Sequence, residues 1–207
     1  MFEYLMPTLW MRTLPETLLG RSLPMCVHAQ RAYLAGRQMP WGISEAGYSQ
    51  LDADGNYQYH AFGVPTIALQ PPPAGSLVIA PYASVLALEF DTANALANLR
   101  RMYQLGWMGE FGYYESADYS AIAEHAAGLR YTLVRSWMAH HQGMSLLALT
   151  NLLLDRPFQR WFHADPRVRA TELLLDEKPL QTVRNDAALH DNTLVFLPHP
   201  ETNAPAG

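Results

Sequence analysis

Two glutamates stand in short segments crowded with aromatic and glycine residues. Glu45 lies in Trp41-Gly42-Ile43-Ser44-Glu45-Ala46-Gly47-Tyr48, and Glu115 in Phe111-Gly112-Tyr113-Tyr114-Glu115-Ser116-Ala117-Asp118-Tyr119. Flat rings stack on pyranose faces, and carboxyl groups protonate, deprotonate or attack at a glycosidic bond, so this combination is what a sugar-processing cleft needs. A carboxyl pressed against Trp or Tyr loses hydration, which favours its neutral form and suits a general acid. A solvated or hydrogen-bonded partner stays ionised as nucleophile or base. Separation then decides the stereochemistry: about 5 Å suits retention, and about 6.5–9.5 Å leaves room for an attacking water.

Other chemistries find less support. Ser44 and Ser145 lie in no nucleophile elbow, and no glycine-rich loop is built to cradle a phosphate. His140 and His141 invite a metal reading, but neighbours on a helix point about 100° apart, and no acid lies at ligand spacing nearby in sequence. One histidine in the core and one lining a cleft with Gln142 is the expectation, with no metal and no cofactor.

The elements that must position these residues are mostly helices. A short helix is expected within Phe2–Leu14, stopped near Pro15. A second runs from Ser22, as N-cap, to Gly36, with Pro24 tolerated in the first turn. An Ala/Leu-rich helix over Pro81–Leu88 reads as buried. Asp91 caps a helix ending at Gly106, with Leu96, Leu99, Met102 and Tyr103 on one face. Helical pattern resumes over Ala121–Gly128, Ser136–Leu154, Pro157–Phe162 and Asp165–Glu177. Gln38–Tyr59 and Trp107–Tyr119, which carry the two glutamates, read as loops, the first with turn chemistry over Leu51–Asn56. Leu77–Ala80 and Leu194–Leu197 are the best strand candidates. The fold class is therefore mainly α with long functional loops, over residues 1–184, and residues 185–207 read as a linker or tail.

Composition limits the function classes. The 207 residues are 49% hydrophobic and 16% charged, enough for one sizeable core and against wholesale disorder. A net charge of -5 gives no reason to expect nucleic acid, and Lys and Arg form no run suited to a membrane surface. The single cysteine, Cys26, closes no internal disulfide. No apolar run approaches the ~20 residues of a membrane helix, and Met1–Trp10 has no signal-peptide pattern, so the chain is expected to be soluble. The apolar opening Met1-Phe2-Glu3-Tyr4-Leu5-Met6-Pro7 reads as the interior of a longer polypeptide.

Seven blocks carry a resemblance: Met1–Met6, Trp41–Tyr48, Tyr57–Pro65, Val78–Leu88, Phe111–Tyr119, Met138–Ser145 and Phe162–Leu174. In this order they resemble the glycoamylase-like region of bacterial cyclic β-1,2-glucan synthases, over about residues 1–177. The resemblance implies an (α/α)6 toroid of helical hairpins, of which this chain looks like the C-terminal half. It implies a retaining transglycosylase acting on linear β-1,2-glucan, similar to endo-β-1,2-glucanases. It also implies a parent synthase on the cytoplasmic face of the bacterial inner membrane, with the rest of that protein as partner and no direct membrane contact by this chain.

On this reading Glu45 and Glu115 are the catalytic carboxyls. Glu3, in a third matched block, is expected at the substrate. Trp41, Tyr48, Tyr57, Tyr59, Tyr82 and Tyr114 are candidate sugar platforms, although clustered aromatics equally serve as core. Arg135 could bond sugar hydroxyls or pair with an acid, and His140, His141 and Gln142 complete the candidate binding set. A plain endo-β-1,2-glucanase and a non-catalytic glucan-binding piece are the alternatives.

Overall fold

The structure is a computed structural model and describes residues 1–70, 72–120, 130–172 and 174. The expected helix over Ala121–Gly128, the strand over Leu194–Leu197 and the tail from residue 185 lie outside the described residues. The chain opens with α1 (Phe2–Leu5), continued by a 3-10 turn over Met6–Leu9, and then enters α2 (Leu18–Leu34). After two strands, β1 (Ala46–Leu51) and β2 (Tyr57–His60), come β3 (Val78–Ile79), α3 (Pro81–Leu86) and α4 (Thr92–Gln104). Four short strands follow: β4 (Met108–Gly109), β5 (Gly112–Tyr113), β6 (Ser116–Asp118) and β7 (Thr132–Val134). Helices α5 (Ala139–Leu153), α6 (Pro157–Phe162) and α7 (Pro166–Glu172) complete the described chain.

Local chemistry accounts for several boundaries. Asp91 caps α4, its carboxylate accepting the Asn94 N–H, and Gly106 follows the helix at φ +78°, a backbone that L side chains rarely adopt. Pro157 and Pro166 open α6 and α7 at the first helical position, where a missing N–H costs nothing. Helix α2 begins earlier than expected. Thr17, not Ser22, is the N-cap, its hydroxyl accepting the Gly20 N–H, so Pro24 falls inside the helix. The α4 face also differs. Ala95, Asn98, Leu99 and Met102 are buried, whereas Leu96 and Tyr103 are exposed. Steps of three and four from Ala95 place Asn98 and Leu99 inward, and a polar Asn on that face is the part a hydrophobic pattern passes over.

Two expected loops contain sheet. Gln38–Tyr59 forms an antiparallel hairpin, with Gly47 opposite Tyr59 and Leu51 opposite Tyr57, closed by a turn in which Asp52 accepts the Asn56 N–H and Gly55 sits at φ +81°. Trp107–Tyr119 contains β4, β5 and β6. Strand β6 is central to a three-stranded antiparallel sheet ordered β3-β6-β7. Strands β2 and β4–β6 have only two to four residues, and β1, though six long, has no strict alternation of buried and exposed positions, which is why the sequence pattern missed them. Helix α3, buried along its whole length, packs against both α4 and α5. The core joins Leu5, Leu9, Leu23 and Val27 to Val78, Ile79, Leu86, Leu99, Met102 and Trp107.

Candidate active site

The segment leading to Glu45 is irregular yet rigid, because buried side-chain amides replace a sheet partner. Gln30 of α2, fully buried, donates to the Ile43 carbonyl at 2.7 Å and accepts the Ile43 N–H at 2.8 Å. Asn98 of α4 accepts the Trp41 N–H at 3.1 Å and donates to the Trp41 carbonyl at 2.7 Å. The Ala80 N–H adds a bond to the Gly42 carbonyl, and Ile43 bridges to Ile79 of β3. Gly42 is required here: at φ +126° a Cβ would stand 3.1 Å from the Ala80 carbonyl oxygen. Both backbone groups of Trp41 and of Ile43 are thus paired, so Glu45 leaves a braced segment immediately before β1.

One edge of β1 pairs with β2, and side chains of the Glu115 segment serve the other. The Glu115 carboxylate accepts the Gly47 N–H at 3.0 Å, and Asp118 accepts the Ser49 N–H at 3.0 Å and the Ser49 hydroxyl at 2.7 Å. Ser116 donates its hydroxyl to the Gly47 carbonyl. Residues 47 and 49 present their N–H groups to the same edge because strand backbone alternates with period two. The two carboxylates thus take the place of strand carbonyls. Gly47 permits the approach, since a Cβ there would lie 3.3 Å from Glu115 Cγ and 3.5 Å from Val134 Cγ1.

From this floor a hydrogen-bonded run joins the glutamates. His141 Nδ1 lies 2.9 Å from the Glu115 carboxylate, with both side chains buried. The other ring nitrogen, Nε2, lies 3.2 Å from the Tyr59 hydroxyl, which donates to Glu45 Oε1 at 2.7 Å. His140 Nε2 stands 3.5 Å from the same hydroxyl. Tyr82 stacks flat on His141, centroids 3.8 Å apart and planes 14° apart, while its own hydroxyl bonds Ser44 and the Glu45 carbonyl.

The geometry corrects the expectation that the adjacent histidines diverge with no acid near. Their ring centroids are 4.0 Å apart and both Nε2 atoms turn toward Tyr59, because His140 and His141 open α5, where its N-terminal turn faces the hairpin. The acid, Glu45, comes from 95 positions earlier in the chain.

Burial and hydrogen bonding tune these groups. Burial, then the bond to Glu45, pushes the Tyr59 hydroxyl far above its ordinary value, and burial does the same to Tyr82. Burial, then the neighbouring His141, pulls His140 down, which favours a neutral ring. At Asp118 burial acts upward, but the bonds from Ser120 and Ser49 outweigh it and hold the carboxyl below its ordinary value.

The remaining candidates divide between framework and rim. Trp41 is buried and Tyr82 is 4% exposed, which corrects both from sugar platforms to ring faces covered by protein. Tyr48 is half-buried, bonded to Gln58 and edge-on to Phe62. Tyr57 and Tyr59 are exposed on β2. Glu3 is exposed and lines a separate small cavity of about 150 Å³ with Tyr4, Gln30 and Phe62. Arg135, also exposed, lies 5.9 Å above the Tyr114 ring. Gln142 donates to the Tyr113 carbonyl and Glu115 is 2% exposed.

Sequence reasoning overlooked Asp118 and Ser49, and Trp137, whose ring packs 5.2 Å from both Phe111 and Tyr114. Asp118 stood in the same block as Glu115 and was available as a signal. Trp137 stood next to the histidine block but carried no spacing to mark it.

This arrangement of carboxyls, tyrosines and aromatic rim can be set beside known proteins. The Glycoamylase family model, described as "Putative glucoamylase", matches residues 1–166. The chain belongs to this glycoamylase family. One relative, the Cyclic beta-(1,2)-glucan synthase NdvB of Rhizobium meliloti (strain 1021), is 42% identical over 180 residues, 86% of this chain and 6% of that protein. The chain thus spans a small part of that relative's length. Among solved structures, the endo-beta-1,2-glucanase from Chitinophaga pinensis, in complex with sophorotriose and glucose, superposes with a TM-score of 0.50 at 16% identity, covering 78% of this chain and 35% of that one. The glycoamylase fold expected from the sequence blocks is therefore present at the level of fold type. No helix among the described residues is long and apolar enough to cross a membrane.

Proposed function

We propose that this chain forms one half of an (α/α)6 toroid that cleaves and transfers β-1,2-glucan chains, with Glu45 and Glu115 as its carboxyl pair. The observation that carries this reading is the run Glu45–Tyr59–His141–Glu115, which links two glutamates 70 positions apart through groups able to hold or pass a proton. A double displacement needs one carboxyl that gives up and regains a proton and one that attacks the anomeric carbon. Glu45 meets the substrate at the open side of the cleft, and Glu115 stands at its floor against Gly47. Tyr59, Tyr114, Phe111 and Trp137 form the aromatic rim on which glucose units stack. The identity with a cyclic β-1,2-glucan synthase supports the choice of β-1,2-glucan as substrate.

The remaining helices of the toroid come from the rest of a parent synthase at the cytoplasmic face of the inner membrane. They would cover the exposed apolar residues of α5 (Leu146, Leu153) and α2 (Leu18, Met25). The test is Glu45→Gln and Glu115→Gln in the full-length parent protein, incubated with linear β-1,2-glucan and followed by product size. Each substitution is expected to lower turnover by at least about a hundredfold, within the range that general acid–base catalysis contributes. Unchanged glucan processing in both would overturn the proposal. Longer or cyclic products identify transfer, and shorter products alone identify hydrolysis.

A further inference from the structure

Glu45, His140 and His141 each offer one ligand atom, and these atoms all lie within 4.8 Å of one another. They come from two elements, the approach to β1 and the first turn of α5, and converge on a single oxygen, the Tyr59 hydroxyl, at 2.7, 3.5 and 3.2 Å. A second observation points the same way. Glu115 engages His141 at Nδ1, which leaves Nε2 as the ring nitrogen on the side of Tyr59 and Glu45. A carboxylate behind a histidine in this way fixes ring orientation and raises ligand basicity in metal sites.

We propose that Glu45, His140 and His141 form a binding site for one divalent transition metal ion of the zinc type, whose entry displaces the Tyr59 hydroxyl. Two imidazoles and one carboxylate, with a fourth position open to water or a sugar hydroxyl, make a donor set suited to zinc and unsuited to magnesium or calcium, which prefer oxygen alone. Zinc bonds of about 2.1 Å hold tetrahedral ligand atoms about 3.4 Å apart, so a pair at the 4.8 Å limit must close by about 1.4 Å. Glu45 can supply that movement because its side chain is half-buried and its carboxylate is held by the Tyr59 hydroxyl. Tyr59 and His140 are both exposed, which provides an entry path. Occupation withdraws Glu45 from any substrate. That consequence rests on the function proposed above, whereas the site itself does not and is tested by binding alone.

The test is calorimetric titration of the full chain with zinc, with cobalt(II) as a spectroscopic probe of coordination geometry. One equivalent should bind. His140→Ala and Glu45→Gln should each weaken binding at least about tenfold, and Glu115→Gln about 10–100-fold through loss of the carboxylate behind His141. Tyr59→Phe should tighten it, because the competing hydroxyl is gone while the ring remains. Binding that is absent, or unchanged by His140→Ala or by Glu45→Gln, would overturn the site and assign any retained zinc to scattered surface histidines such as His28 and His60. Unchanged or weaker binding by Tyr59→Phe would overturn the displacement.

Discussion

Asp118 offers the sharpest check on how the site is held. Its carboxylate is 2% exposed and accepts the Ser49 N–H, the Ser49 hydroxyl and the Ser120 N–H at 3.0, 2.7 and 2.9 Å. Asn at this position keeps one acceptor oxygen and places an NH2 where the other oxygen stood. If the oxygen stays with Ser49, the Ser120 N–H is left facing a donor. An unpaired buried N–H costs about 1–3 kcal/mol, and the two surviving bonds lose their charge assistance, so Asp118→Asn should cost about 2–4 kcal/mol. With an m-value of about 2 kcal/mol/M, the urea midpoint should fall by about 1–2 M. The pH dependence gives an independent reading. A carboxyl whose folded value is depressed stabilises the fold above its unfolded value of about 3.9, and that contribution is lost as pH falls through the folded value. Asn cannot titrate, so the gap between wild type and Asp118→Asn should be full at pH 7 and narrow below about pH 4. A midpoint shift under about 0.2 M at pH 7, or a gap that does not narrow at all as the pH falls below about 4, would refute the claim that this carboxylate anchors β1.

Gln30→Leu strands both the N–H and the carbonyl of Ile43 in the core, and should destabilise by about 2–5 kcal/mol in the same urea assay. Gly47→Ala brings a Cβ to 3.3 Å from Glu115 Cγ, so stability should fall by about 1 kcal/mol while turnover of the full-length parent falls at least tenfold, with the two read separately by melting and by glucan processing. The exposed leucines of α5 and α2 should drive this chain to self-associate on its own. Light scattering should report particles larger than 23.2 kDa, and a clean monomer at high concentration would count against the missing-half reading.

Much of the helical frame was legible because its signals are local. The Asp91 cap, Gly106, and the prolines at 157 and 166 each act within one turn of the residue that carries them, and the helices they bound stand close to where those signals put them. The hairpin of β1 and β2 was not legible as strand. Its backbone is satisfied on one side by short pairing and on the other by the side chains of Glu115, Ser116 and Asp118, which arrive from about 70 positions away. Trp41 and Tyr82 show the same limit, since composition marks an aromatic ring as valuable but burial alone decides whether its face meets a ligand or a histidine.

The sequence by itself determined which residue types are present, that two glutamates sit in aromatic-rich blocks, and the family to which those blocks belong. Only the tertiary structure decided that both histidines turn toward Glu45 and Tyr59, and that Asp118 braces the strand beside them. The physical reason is range. Caps and turns are settled by bonds between near neighbours, whereas the site is made by hydrogen bonds whose partners are up to 82 positions apart, and these exist only once the core has closed.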